Sequence, residues 1–146
     1  MAKKFKLQSV LNYRQSLEDQ ARQLLADSMQ RRQQYVELLQ QHQQRRQQLV
    51  DELEARQREG LSIADIELFE GQIAHRRQLS LAVQQQLEEL ERQIQQQREE
   101  LLNASREKQV MEKLKAKQEA EYRRELARKE REILDEISLR NKGDGT

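Results

Sequence analysis

Apolar residues recur at intervals of three or four along nearly the whole chain. In the first half they form two neighbouring tracks, which are Val10, Leu17, Ala21, Leu24, Tyr35, Leu38 and Leu49, and Leu11, Leu25, Met29, Val36, Leu39, Val50 and Leu53. One face of an α-helix repeats about every 3.6 residues, so this spacing predicts a helix over about residues 5–58. In the second half the apolar positions are Ile66, Phe69, Ile73, Val83, Leu87, Leu90, Ile94, Leu101, Ala104, Met111, Leu114, Tyr122, Leu126, Ile133 and Ile137. They predict a longer helix over about residues 63–141, followed by a frayed tail at 142–146.

The pattern is interrupted at about residues 59–62. Gly60 can adopt the left-handed conformation that ends a helix, and Ser62 can accept a hydrogen bond from the backbone of Asp65 as the N-cap of the next helix. A connection this short makes the two helices antiparallel neighbours. The sequence therefore predicts an all-α fold, a single antiparallel two-helix coiled coil over residues 1–146 with a longer second helix.

In an antiparallel hairpin, successive residues along the first helix face residues of the second helix with progressively lower numbers. Pairing Leu53 with Phe69 then places Leu11 opposite Met111, so that apolar residues meet in most layers. The middle of the hairpin is different, because His42 falls opposite Ser80 and Arg45 falls opposite Arg77, with Arg76 beside it. Polar or like-charged layers cost stability and are tolerated where they fix the register or bind a partner.

The second predicted helix extends beyond the N-terminal end of the first. Phe5 pairs near Lys117, so the part from about Gln118 to Arg140 is expected to lack an internal partner. It nevertheless carries an apolar stripe formed by Tyr122, Leu126, Ile133 and Ile137. This overhang would extend roughly 30 Å past the hairpin. An apolar stripe without an internal partner predicts binding to another protein.

Composition narrows the chemistry. Only 35% of the residues are hydrophobic and 36% are charged, which favours helices touching along a narrow seam over a globular core. A net charge of +1 and the scarcity of aromatic residues argue against nucleic-acid binding, and the absence of a long apolar run argues against membrane insertion. There is no cysteine, and His42 and His75 do not face each other. We expect no enzymatic activity, no catalytic residue, no cofactor and no metal.

The two ends of the chain carry distinctive runs of residues. The N-terminal run is Phe5–Arg14, followed by Leu17-Glu18 and Ala21. The C-terminal run is Leu101-Leu102, Ala104, Lys108–Lys115, Tyr122, Glu125, Arg128-Lys129-Glu130 and Leu134–Ile137. In their order and spacing these motifs resemble the family of the flagellar type III export protein FliJ over nearly the whole chain. The length, the break near Gly60 and the longer second helix are also similar.

The resemblance implies a non-enzymatic stalk, similar to the central stalk of rotary ATPases, in the bacterial flagellar export apparatus. Its implied partners are the export ATPase hexamer, the cytoplasmic domain of the export gate and export chaperones. Its implied location is cytoplasmic, peripheral to the inner membrane at the flagellar base. By this resemblance the ring contact is assigned to Phe5, Leu7, Val10, Arg14, Tyr122, Leu126, Arg128, Ile133 and Ile137. The gate contact is assigned to Phe69 and Tyr35, although His42, Arg45, Gln72 and Arg76 depart from the family's aromatic pattern there.

Two other interpretations remain open from the sequence. The chain could be a structural coiled-coil spacer or homodimer, in which the stripe from Tyr122 to Ile137 pairs with a second copy. It could also be the equivalent stalk of a virulence type III secretion system.

Overall fold

The chain folds into two α-helices joined by a short connection. The computed structural model describes residues 5–144, with side chains through residue 143. Helix α1 is Gln8–Glu59 and helix α2 is Ile63–Asp144. These residues form an antiparallel helical hairpin with the longer helix second, and none of residues 5–144 lies in a strand. The predicted fold class is confirmed.

The outer ends of the helices differ from the expected bounds. Helix α1 begins at Gln8 rather than near Phe5, because residues 6 and 7 form a turn in which the Gln8 N–H donates to the Phe5 carbonyl over 3.1 Å. Helix α2 continues through Asp144, three residues past the expected end. The chain contains no proline to stop it, and Lys142 in the last turn complements the negative end of the helix dipole. The expected frayed tail is therefore helical as far as Asp144, and its last two residues lie outside the described part.

The connection between the helices consists of residues 60–62. Gly60 has a φ of 98°, a left-handed conformation that residues with a Cβ adopt only under strain, and its N–H donates to the Gln57 carbonyl over 3.2 Å. The Asp65 N–H donates to Ser62 Oγ over 3.2 Å, which is the predicted N-cap. Glycine ends α1 and serine starts α2, so the reversal is encoded locally.

The contacts divide the hairpin into two compact units. The turn unit is Ala21–Leu101, and the terminal unit comprises the described residues of Met1–Gln20 and Leu102–Thr146. Each unit contains a segment of both helices, and each is described by itself below.

In the turn unit one continuous series of buried and half-buried positions repeats in alternating steps of three and four, and Val36, Val50, Glu52 and Leu79 are half-buried beside it. The positions of the series are Leu25, Ser28, Arg32, Tyr35, Leu39, His42, Arg46, Leu49 and Leu53 on α1, and Ile66, Phe69, Ile73, Arg76, Ser80, Val83, Leu87, Leu90, Ile94, Gln97 and Leu101 on α2. This is the heptad repeat of a coiled coil, with an average of about 3.5 residues per turn. Its apolar core is Leu49, Val83, Leu90 and Ile94, of which Ile94 is only 1% exposed.

The strict heptad corrects both sequence tracks, because the seam takes residues from each of them. Leu24 and Leu38 are exposed, whereas the next residues, Leu25 and Leu39, lie in the seam. Met29 is also exposed. A repeat of about 3.5 residues keeps the same face toward the partner helix and selects only one leucine of each adjacent pair.

Contacts across the turn unit show its antiparallel direction. Arg32 pairs with Glu91, His42 contacts Arg76, and the Arg56 guanidinium lies 5.4 Å from the centre of the Phe69 ring. The partner's number falls as the number on α1 rises. The pairing deduced from the apolar tracks therefore describes this unit correctly in direction.

Candidate partner-binding surfaces

The end of α2 is a helix without cover from α1. Every residue from Arg123 to Gly143 is exposed, and we call this segment the overhang. Leu126, Ile133 and Ile137 are 42%, 56% and 48% exposed. In the overhang they form an apolar stripe with spacings of seven and four residues, which places them on one side of the helix. This surface has the character of a binding face.

The stripe of the overhang does not continue the seam. If the heptad that ends at Tyr122 were extended, its next positions would be Glu125, Lys129, Glu132 and Glu136, all exposed and charged. The stripe residues Leu126, Ile133 and Ile137 each follow one of these positions by a single residue. One residue corresponds to a rotation of about 100° around the helix. The apolar face of the overhang is therefore turned away from the side on which α1 packs.

The overhang begins later than the sequence predicts. Gln118 and Tyr122, expected to lack an internal partner, are half-buried in the terminal unit. The reason lies at the other end of the chain, where Phe5 and Leu7 border a cavity together with Leu114, Lys117 and Gln118. The residues that precede α1 thus reach the last paired turns of α2. The expectation that the unpaired segment begins at Gln118 is wrong, and the half-buried Tyr122, one turn further on, marks the edge of the paired region.

The N-terminal ring candidates are similarly occupied within the terminal unit. Phe5 and Val10 are half-buried, whereas Leu7 is 43% exposed. Arg14 is half-buried and pairs with Glu107 of α2. Among the ring candidates, Leu126, Arg128, Ile133 and Ile137 lie fully on the overhang, where Arg128 approaches Glu132 at 3.9 Å. The structure thus separates the assigned residues into an exposed group and a group that helps to hold the two helices together.

An ion pair in the terminal seam is absent from the sequence prediction. Glu18 is only 3% exposed, and its Oε1 accepts a hydrogen bond from Lys108 Nζ over 3.0 Å. Lys108 also approaches Glu112 at 3.7 Å. Counting in steps of three and four from Leu11 places Glu18 in the seam, and this signal could have revealed the pair. The residue type alone gives no such signal, because glutamates on a helix are usually surface residues.

The two gate candidates lie in the seam of the turn unit. Phe69 is half-buried beneath the Arg56 guanidinium, a cation–π arrangement. Tyr35 is half-buried and borders a shallow groove with Arg31, Gln86 and Glu89. Both rings therefore contribute to the packing of the hairpin and offer only part of their surface to a partner.

Two further properties concern ligands and membranes. Within residues 5–144, no group of three or more His, Cys, Asp or Glu side chains is arranged to hold a metal ion. In the same described part, neither helix contains a stretch apolar enough to cross a membrane. His42 Nδ1 accepts a hydrogen bond from Arg76 Nη1 at 3.0 Å, while His75 is exposed.

Comparison with protein families supplies the identity. The family model described as Flagellar FliJ protein matches residues 3–144, nearly the whole chain and both helices. The chain belongs to the flagellar FliJ family. Membership makes it a component of flagellar type III protein export, in a family of structural export proteins that are not known enzymes. No curated protein and no solved structure matches the chain significantly.

Proposed function

We propose that this FliJ-family chain is the stalk of the flagellar export ATPase. In this proposal the overhang enters the hexameric ring and promotes its assembly, while the turn unit contacts the cytoplasmic domain of the export gate and the chain also binds export chaperones. The stalk works in the cytoplasm at the inner face of the membrane. The observation that carries the proposal is the apolar stripe of Leu126, Ile133 and Ile137, which α1 leaves uncovered.

The stripe supports a ring contact for a physical reason. Side chains of this size stabilise an interface by about 1.5–3 kcal/mol each when they are fully removed from water. The surrounding charges are mixed, since the overhang contains Arg123, Arg124 and Arg128 together with Glu125 and Glu130. A ring lining with alternating apolar and polar groups would complement both the apolar stripe and the mixed charges around it. By the same reasoning, Phe69 and Tyr35 are the residues we propose for the gate contact.

The experiment that tests the ring contact compares two double variants of the overhang. Leu126→Ala with Ile133→Ala removes part of the stripe. Leu134→Ala with Leu139→Ala is the matched control, because it removes exposed apolar side chains that lie outside the stripe. We expect the first variant to lower stimulation of the ATPase at least tenfold in apparent affinity, and the control to lower it much less. Both variants should retain the helicity of the wild-type chain, since none of the four side chains is buried.

Equal loss in the two variants would overturn the assignment to the stripe. Co-purification with the ATPase hexamer should also be lost when the chain is truncated after Tyr122. The homodimer interpretation predicts a different result, namely a dimer in sedimentation that the stripe variant dissociates. A monomeric wild-type chain would exclude it.

A further inference from the structure

One stretch of the hairpin has a charge distribution unlike the rest of the chain. Residues 38–50 of α1 and 71–87 of α2 contain no Asp or Glu, although the chain has nearly equal numbers of acidic and basic residues. We call these two segments the basic band. Its basic and imidazole side chains are His42, Arg45, Arg46, His75, Arg76 and Arg77. With four arginines and no carboxylate the band has a net charge of +4, whereas the other 23 basic and 26 acidic residues sum to −3.

The two segments of the band lie opposite each other in the turn unit. The contact between Arg76 Nη1 and His42 Nδ1 joins them at 3.0 Å. Among residues 5–144, no carboxylate forms an ion pair with any of the four arginines of the band. Arginines just outside it do have such partners, since Arg32 pairs with Glu91 and Arg56 with Glu52. The Arg45 guanidinium, on an exposed residue, donates to the neutral Gln48 over 3.4 Å and is therefore available to an anion.

An apolar cleft lies at the edge of the band nearest the turn. It has a volume of about 540 Å³, and its walls include Leu49, Leu68 and Gly71, with Arg45 and Arg76 beside them. Leu68 is 63% exposed. A Cβ added at Gly71 would meet no atom within 4 Å, so the space above this glycine is open. A partner could therefore place an apolar side chain here while its charges reach the guanidinium groups.

We propose that the basic band binds a short acidic segment of a partner protein, with an apolar side chain of that segment in the cleft. Carboxylates pair with guanidinium groups through two parallel hydrogen bonds, which gives both affinity and orientation. Glu67 lies at the turn side of the cleft. Its charge repels acids there, so the carboxylates of the partner lie on the opposite side, over Arg45 and Arg76.

The length of the band selects a short segment over a long polyanion. Thirteen residues of α1 free of acids correspond to about 20 Å of helix. Carboxylates border the band at Glu37 and Asp51 on α1 and at Glu70 and Glu88 on α2. A nucleic-acid strand or an anionic membrane would extend over these carboxylates and be repelled. A peptide with a few acidic residues fits between them.

This inference extends the proposed contact with the export gate. It rests on that proposed function only for the identity of the partner protein. It adds the chemistry of the partner: acidic residues around one apolar residue, in place of a mainly aromatic contact. The peptide titration below does not involve the ATPase. Its failure would leave the ring proposal intact, and failure of the ring experiment would leave the band intact.

The test is a titration of the full chain against a labelled peptide, followed by fluorescence anisotropy. The probe is a fluorescein-labelled peptide in which two glutamates stand on each side of a leucine. Arg45→Gln with Arg76→Gln removes the two charges of the band that line the cleft. Arg92→Gln with Arg98→Gln, at exposed positions of α2 outside it, is the matched control with the same change in net charge. We expect the band variant to weaken binding about tenfold, and the control less than twofold.

A second set of titrations tests whether the cleft binds the leucine side chain of the peptide. Leu68→Gln should weaken binding of the leucine peptide about threefold, without affecting a peptide in which glycine replaces the leucine. Saturable binding that weakens from about 0.05 M to about 0.3 M NaCl supports the proposal. The proposal is overturned if wild-type chain shows no saturable binding, if both arginine variants lose affinity equally, or if a single-stranded oligonucleotide or anionic vesicles bind more tightly than the peptide. Self-association of the wild-type chain that the band variant abolishes would make a second copy the occupant and overturn it as well.

Discussion

The turn unit and the terminal unit use the same two helices but are held together by different forces. In the described residues, all four buried apolar side chains belong to the turn unit. The buried side chain of the terminal unit is a carboxylate, Glu18, paired with Lys108, and a second ion pair joins Arg14 to Glu107 nearby. Apolar burial is non-directional and strong, whereas a buried ion pair gains little net free energy after desolvation.

The difference indicates that the two units contribute differently to the stability and to the register of the hairpin. The apolar seam of the turn unit supplies most of the stability. The ion pairs of the terminal unit add little stability, but they allow only one alignment, because a shift of α1 along α2 would leave Glu18 buried without Lys108. We therefore expect residues 8–20 of α1 to open locally far more readily than the turn unit unfolds.

The largest expected effect is in the turn unit. Ile94→Ala should lower the free energy of unfolding by about 2–5 kcal/mol, because it leaves a cavity at a side chain that is only 1% exposed. Urea denaturation followed by circular dichroism measures this loss. Leu24→Ala, at an exposed position of the same unit, is the control and should change the free energy by no more than about 0.5 kcal/mol. Similar losses in the two variants would contradict the apolar seam described here.

The next effect concerns the buried ion pair. Glu18→Gln should cost about 1–3 kcal/mol, because it removes the closer carboxylate of the partly buried Lys108 ammonium and leaves Glu112 at 3.7 Å. Hydrogen exchange should accelerate in residues 8–20 and stay unchanged in residues 21–101. Replacing both partners, Glu18→Leu with Lys108→Leu, should restore the protection, since two apolar side chains pack without a desolvation cost. Slower exchange than wild type in Glu18→Gln would refute the role of the pair.

The smallest effect comes from two ion pairs of similar exposure, one in each unit. Arg14 pairs with Glu107 in the terminal unit and Arg32 with Glu91 in the turn unit. Replacing either arginine by glutamine should cost about 0.2–1 kcal/mol. In Arg14→Gln this should accelerate hydrogen exchange of residues 8–20 a few-fold. In Arg32→Gln the exchange around residue 32 should hardly change, because the apolar seam keeps that segment closed. Equal acceleration at both sites would remove the distinction between the units.

Local sequence signals predict the architecture well, and they predict the seam less well. Gly60 and Ser62 mark the reversal because each supplies a conformation or a hydrogen bond that few residues can. Leu24 and Leu25 are equivalent by hydrophobicity, and only the supercoil, set by the whole length of both helices, decides which one is buried. The start of the overhang depends on Phe5 and Leu7, which border a cavity with Gln118 although they are far away from it in sequence. The overhang stripe was visible in the sequence, but its exact start was not.

The stripe of Leu126, Ile133 and Ile137 is offset from the seam by one residue. This offset determines whether a protein bound to the stripe and helix α1 use the same face of α2. A protein that grips the stripe approaches α2 from a side that α1 does not use, so it does not compete with α1 for the same groups. The free energy of binding at the overhang therefore adds to the free energy of pairing between α1 and α2. A protein can bind the end of α2 without the two helices first separating.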